Sequence, residues 1–275
     1  MGRKLFCELG PTAYKISVWK GIFLRNISDL FKGEKYAAKK SDSEFATIVK
    51  SHSSLILRKL QGVDMVLQEN KGVNLRLASE KINGIIINPG ETFSFWKTVG
   101  QPTAKKGYKE GLTISSRKGL GKGIGGGLCQ CANMIHWLVL HSPLTVTELH
   151  HHSDALFPDE KRRVPFGTGT SVFYNRLDYR FRNDTGSPFQ LLLWTEDGYL
   201  CGELRSEKNT DKKYKIVEEN HHFRKEGNDY YRNSIIYRII TDKNTGESTK
   251  EIILRNHSKV LYDHSLIPNE QIKND

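Results

Sequence analysis

The longest apolar segment of the chain runs from Cys131 to Leu140, where Met134, Ile135, Trp137, Leu138, Val139 and Leu140 are hydrophobic almost all round. That pattern predicts a helix buried in a core. It should stop at His141-Ser142-Pro143, because proline disfavours helix in the residue before it. Upstream, Trp19, Phe23, Ile27, Leu30 and Phe31 recur every three to four residues. This predicts a helix over residues 12–32, with Thr12 as its N-cap. After a polar break at Lys39 to Ser43, the stretch Phe45 to Leu60 reads as a second helix. Val73, Leu75 and Leu77 alternate within Gln68 to Ser79, as in a strand or an early helical turn. Ile85 to Ile87 reads as a short strand ending in the Asn88-Pro89-Gly90 turn, and Phe93, Phe95 and Trp96 suit a further strand.

From about residue 170 the pattern becomes that of β-structure. Ser171–Tyr174, Leu177–Arg182 and Phe189–Trp194 are the first strands, with turns at Asn183 to Gly186 and Glu196 to Gly198. Residues 213–264 continue in this way, with turns at Glu226 to Asp229 and Asp242 to Gly246. The expected class is α+β: a basic helical region over 1–60, a mixed core over 61–205 in which a cysteine-bearing buried helix packs on an antiparallel sheet, and a β-rich extension over 206–275.

Charge adds a second element. The 275-residue chain carries a formal net charge of +11, and residues 1–60 hold 12 Lys/Arg against 5 Asp/Glu. Such an excess is either a solvated basic surface or an attraction to polyanions. The absence of zinc-finger spacing and of RNP-type aromatic motifs argues against nucleic acid. Because Lys15, Lys20, Arg25 and Lys32 are interspersed with the aromatic residues of 12–32, that helix either docks on the core or lies on an anionic membrane surface. No apolar run has the length of an export signal or a membrane span, which points to a cytoplasmic protein or one peripheral to the inner membrane face. Four cysteines, Cys7, Cys129, Cys131 and Cys201, are too few for a disulfide scaffold.

The candidate chemistry centres on Gly119 to Gly127, which holds six glycines in nine residues and leads into Leu128-Cys129-Gln130. No Gly-Lys-Ser/Thr follows, so a phosphate loop is excluded. A dinucleotide fingerprint matches by letters at Gly121, Gly123 and Gly126, with Glu148 about 22 residues on, but the repeated βαβ pattern is missing. A metal site would draw on Cys129, Cys131, His150 and His152; residues two apart at a helix start point to nearly opposite sides, which disfavours it, and neither metal nor cofactor is expected. In the third reading, Cys129 is a nucleophile at the first turn of a buried helix, where backbone N–H groups and a nearby imidazole lower its pKa. A strand from Leu144 would line Val146, Glu148, His150 and His152 on one side, with His151 facing the other way and His136 buried as a structural residue.

These motifs closely resemble the VanW family, associated with glycopeptide resistance and cell-wall peptidoglycan. The resemblance covers roughly residues 60–205. It is carried by Gln68-Glu69-Asn70, Asn88 through Trp96, Gly125 through Gln130, Trp137 through Pro143, and Leu177-Asp178 with Arg182 through Gly186. It implies a bacterial protein acting on a peptidoglycan precursor or muropeptide. One implied activity is cysteine-dependent acyl transfer of the L,D-transpeptidase type. Cys129 would then be the nucleophile and His150 or His152 the base, with backbone N–H groups around Gly127, Leu128 and Gln130 as the oxyanion site. The other is a non-catalytic module that binds wall precursors or a resistance-enzyme partner. The chain departs from the family pattern at three positions, with Leu149 in place of an arginine, Ala132 in place of a serine and Gly169 in place of an acid. The acid orienting a catalytic histidine would then come from elsewhere, with Asp154 and Asp178 as candidates.

Overall fold

A computed structural model describes residues 6–57, 64–115, 119–151, 154–155, 158 and 164–273; His152 lies outside them. The architecture is α+β. Helix α1 (Pro11–Phe31) opens the chain, and strand β1 (Thr47–Leu55) follows it. Next come α2 (Met65–Ile82), β2 (Ile85–Ile87), β3 (Thr92–Ser94) and the short α3 (Phe95–Val99). A hairpin of β4 (Glu110–Ser115) and β5 (Gly119–Ile124) leads to α4 (Cys129–Leu140). Strands β6 (Thr145–Glu148), β7 (Asp154–Ala155), β8 (Arg180–Arg182), β9 (Phe189–Glu196) and β10 (Tyr199–Ser206) complete the central part. The chain ends in long strands β11 (Lys212–Glu226), β12 (Asp229–Asp242) and β13 (Ser248–Val260), and a short β14 (Ile272–Lys273).

The central sheet has the order β1-β10-β9-β2 and is antiparallel throughout. Its β9–β10 hairpin turns on Asp197 and Gly198, both at positive φ, as a two-residue turn matching strand twist requires. Helices α2 and α4 pack on this sheet. Gly202 in β10 makes room for α4, since a Cβ there would lie 3.0 Å from Met134 Cγ and 3.2 Å from Leu138 Cδ1. Leu75, Ala78, Ile82, Ile135, Leu138, Leu191 and Leu200 fill the space between the layers. A second sheet, β3-β8-β6, stacks Phe93 on Phe181 with ring centroids 4.9 Å apart. The C-terminal sheet is an antiparallel meander of β11, β12 and β13, edged by β14 and by β7 in parallel register.

Several expectations hold: α1, α4, β2, the hairpin turns and the strand-rich tail stand where the sequence pattern puts them. Others are corrected. Residues 47–55 form an edge strand rather than a helix, and they join the central sheet by pairing with β10. Thr47, Ile48 and Val49 are β-branched, and the polar Ser51 to Ser54 run carries no helical stripe. Of the two readings of residues 68–79 the helical one holds, within a helix over 65–82 capped by Asp64, whose side chain accepts from the Val66 N–H at 3.0 Å. The inward positions include Gln68, Lys71, Asn74 and Ser79, so buried polar residues conceal the helical period. Phe93 and its neighbours divide between β3 and α3, with Ser94 capping α3 by accepting from Lys97 N–H. Helix α1 starts from Gly10 with Pro11 at its first turn, not from Thr12.

Candidate functional site

The glycine tract is a close-packed junction between α2, β4 and α4. Gly126 lies on Gly111, whose carbonyl carbon would sit 2.2 Å from an added Cβ. Gly127 combines φ +93° with an equally short approach to Lys71 Cγ on α2. The Asn74 amide clamps the turn, donating to Gly126 O at 2.9 Å and to Lys109 O at 3.0 Å, while its carbonyl accepts from Lys109 N–H at 2.8 Å. The glycines therefore serve approach of backbone to neighbours, and Gly119 to Ile124 is a hairpin strand rather than a phosphate-binding loop.

This junction delivers Cys129 as the first residue of α4. Its side chain is half-buried, and its thiol donates to the Val172 carbonyl at 3.7 Å. Burial raises the thiol pKa above its ordinary value; bonds with the Val172 backbone and its own backbone offset this only in part. The lowered pKa expected from the helix start is thus not met in this resting geometry, because desolvation of the thiolate outweighs the helix-end field. Cys131 points the other way into the core, where burial pushes it up to about 12. The Gln130 side chain is committed to β1, donating to Ser54 Oγ and Leu55 O, each at 3.0 Å, and its N–H is given to Gly127 O.

The segment Thr170 to Val172 runs between Cys129 and His150. Thr170 N–H donates to Asn133 Oδ1 at 2.7 Å, one helical turn beyond Cys129 on α4. Ser171 N–H donates to His150 O at 2.7 Å, and Val172 O receives the Cys129 thiol. The cysteine and the histidine are therefore held at adjacent residues of one strap. Gly169, just before it, faces the same amide, with Asn133 Oδ1 3.2 Å from where its Cβ would be. Strand β6 ends at Glu148, after a register shift against β8 between Val146 and Glu148, so His150 sits in a loop and not on the extended strand the sequence suggested. His151 is exposed, with Nδ1 3.2 Å from Gly167 O. His136 is buried against the Tyr179 hydroxyl at 3.1 Å, and burial lowers its pKa to about 3, as suits a structural residue.

The acid at His150 is Glu148, with 2.8 Å between Oε1 and Nε2. Asp178 meets Glu148 only by donating its backbone N–H, at 3.0 Å. The Asp178 carboxylate accepts from Ser94 Oγ at 2.5 Å, Trp96 N–H at 3.1 Å and Arg180 Nε at 2.8 Å. It is the buried knot joining β3, α3 and β8. Asp154 lies in β7, paired with Lys259 in backbone register. Glu148 also holds Arg25, which reaches across from α1 with both terminal nitrogens. Burial works against ionisation of Glu148, but Arg25 and His150 hold its pKa below the usual carboxylate value. Two α1 residues continue the network: Asp29 is bidentate to Arg180 at 2.7 and 2.8 Å, and Asn26 accepts from Asn175 at 2.9 Å. Asp29 is lowered to about 2, since Arg180 and Lys97 outweigh burial. Glu148 appeared in the sequence as a strand mate of His150, whereas Arg25 lies 123 residues away from it with no local signal. Among the described residues no group of three or more His, Cys, Asp or Glu is arranged to hold a metal ion.

Comparison with known proteins gives this arrangement a class. A family model described as "VanW like protein" matches residues 70–205, the span holding α2, the glycine junction, Cys129, Glu148, His150 and Asp178. The chain belongs to the VanW family. It is 33% identical over 202 residues to the vancomycin B-type resistance protein VanW of Enterococcus faecalis (strain ATCC 700802 / V583), covering 73% of each chain. It is also 30% identical over 120 residues to the uncharacterized protein YoaR of Bacillus subtilis (strain 168), where the match covers 44% of this chain and 38% of YoaR. No solved structure matches. Within the matched span, Asn183 donates to Ile87 O at 2.8 Å and to Ser187 O at 2.9 Å, tying the Asn88 turn to the Asp184 turn.

Proposed function

We propose that this chain acts in cell-wall metabolism linked to glycopeptide resistance, as the name of its Enterococcus relative suggests, by cysteine-dependent acyl transfer on a peptidoglycan stem peptide. The observation that carries the reading is the strap Thr170 to Val172, which holds Cys129 and the Glu148-paired His150 at neighbouring positions. Because Nε2 of His150 faces Glu148, Nδ1 is the nitrogen able to take the thiol proton. His152 is the second candidate base. Cys129 Sγ then attacks the peptide carbonyl, the C–N bond breaks, and the amine departs with the proton from the imidazolium, leaving a thioester. An acceptor amine attacks the thioester, forms the new amide and returns the proton to the thiolate. The developing oxyanion would be met by N–H groups of Leu128 and Cys129, since that of Gln130 is already donated. The raised thiol pKa means that the thiolate forms only as substrate and imidazole close on it.

That same raised pKa favours a second reading, a non-catalytic module that binds wall precursors or a resistance enzyme. Per-cysteine alkylation against pH, followed by intact-mass analysis after incubation with muropeptides, separates the two. The enzyme reading expects a thioester mass on Cys129 that Cys129→Ala abolishes with folding unchanged. No adduct, with Cys129 slower to alkylate than Cys201 at every pH and muropeptide binding intact in Cys129→Ala, assigns the binding module.

A further inference from the structure

Helix α1 is docked inside out. Its inner stripe, Val18, Ile22, Arg25 and Asp29, is buried or half-buried, and its specific contacts are polar: Arg25 to Glu148, Asn26 to Asn175 and Asp29 to Arg180. On the opposite side Ile16, Trp19, Phe23, Ile27 and Leu30 follow one another at steps of three and four, forming a single stripe. All five are exposed, Trp19 to 78% and Leu30 to 79%, and Leu24 and Phe31 widen the stripe at its edge. An ordinary surface helix does the reverse. A continuous aromatic and aliphatic face of this kind marks an interaction surface.

Charge identifies the occupant. Lys15 and Lys20 flank the stripe on its two sides, and the one acid of α1, Asp29, is turned inward on Arg180 and Lys97. The outer face therefore presents cations and apolar side chains with no negative charge. No described helix is long and apolar enough to cross a bilayer, which leaves the in-plane position. We infer that α1 is an interfacial anchor that seats Trp19, Phe23, Ile27 and Leu30 in an anionic lipid bilayer, while its polar face stays clamped to the body of the protein. The anchor needs no detachment or refolding, because both faces are satisfied at once. It also ties the helix to what lies beneath it: Arg25 holds Glu148 and Glu148 holds His150, so the polar face of α1 is linked directly to the candidate site.

The test is co-sedimentation of the full chain with vesicles of phosphatidylglycerol and phosphatidylcholine, and with phosphatidylcholine alone. Binding to the anionic vesicles is expected, weakened about fivefold for each of Lys15 and Lys20 changed to Gln, and weakened by salt. Trp19→Ser, Phe23→Ser and Leu30→Ser should each cost about tenfold in vesicle binding, and the triple variant should stay in the supernatant with unchanged circular dichroism. Failure of the full chain to bind anionic vesicles overturns the inference, as does equal binding by the triple variant. A dimer in sedimentation velocity that the triple variant dissolves, without vesicle binding, assigns the face to a second copy instead.

Discussion

Helices α1 and α4 are both rich in large apolar side chains and dispose of them in opposite ways. In α4, Ile135, Leu138 and Val139 are wholly buried, and Cys129 meets the strap at its first turn. In α1, Trp19, Phe23 and Leu30 face outward, and the helix is held by Arg25 and Asp29. The first is secured chiefly by apolar burial, with its two buried histidines, His136 and His141, as the points where acid can reach it. The second is secured by charge pairs, whose loss on one side leaves the partner buried and uncompensated. α4 is the more apolar of the two along its whole length, whereas α1 carries charged residues opposite its apolar stripe, and those residues tell which side faces the fold.

The comparison is broken most severely at the foot of α4. Gly126→Ala forces the turn off the Gly111 backbone, and a loss of about 5 kcal/mol is expected in chemical denaturation. Glycine at position 21 of α1 has open space around its Cβ position, so Gly21→Ala should be neutral or slightly stabilising.

Acid sharpens it next. His136 within α4 falls from 6.5 to about 3 and His141 at its end to about 4, both chiefly through burial. Groups whose folded pKa is depressed contribute stability above 6.5 and lose it as pH falls towards the folded value. Between pH 6.5 and 4.5 unfolding should therefore take up nearly two protons, and about 4 kcal/mol should be gone from the His136 site alone by pH 3. His136→Phe should halve the slope of stability against pH in that upper window. A slope unchanged by this variant would show that His136 is already protonated in the fold.

For α1 the corresponding variant is Asp29→Ala, which takes the bidentate partner from buried Arg180 and leaves it only Asp178 and Tyr36 at hydrogen-bond distance. A loss of about 3 kcal/mol is expected, and amide exchange should show α1 released while α4 keeps its protection. The smallest effect belongs to the outer stripe: Trp19→Ser should leave solution stability within about 0.5 kcal/mol of the parent, since Trp19 is 78% exposed.

Much of this was legible before the structure. The α4 pattern, its stop before Pro143, the two-residue turn at Asp197-Gly198 and the glycine approach to Cys129 are all local, and local signals survive in sequence. The errors also have local causes. Val73, Leu75 and Leu77 alternate by accident, while the true inward face of α2 spends Gln68, Lys71 and Asn74 on clamping the glycine junction. The β-branched start of 47–55 favours a strand, but the edge of β10 that it pairs with lies about 150 residues further on. The acid of His150 was within sight at Glu148, but its partner Arg25 arrives from another helix, and the thiol pKa depends on a strap far along the chain.

Asn133 finally bears on the order in which this site can change. Its amide accepts from Thr170 N–H and faces Gly169, the position where the family resemblance leads one to expect an acid. An aspartate introduced at 169 alone would crowd that amide and bring a carboxylate against its carbonyl oxygen. Shortening Asn133 alone would leave the Thr170 N–H without its acceptor. Each step is unfavourable in the background of the other residue, so the two positions form an epistatic lock. The two positions are therefore coupled through one amide, and an acid placed at 169 should be built with and without a change at Asn133.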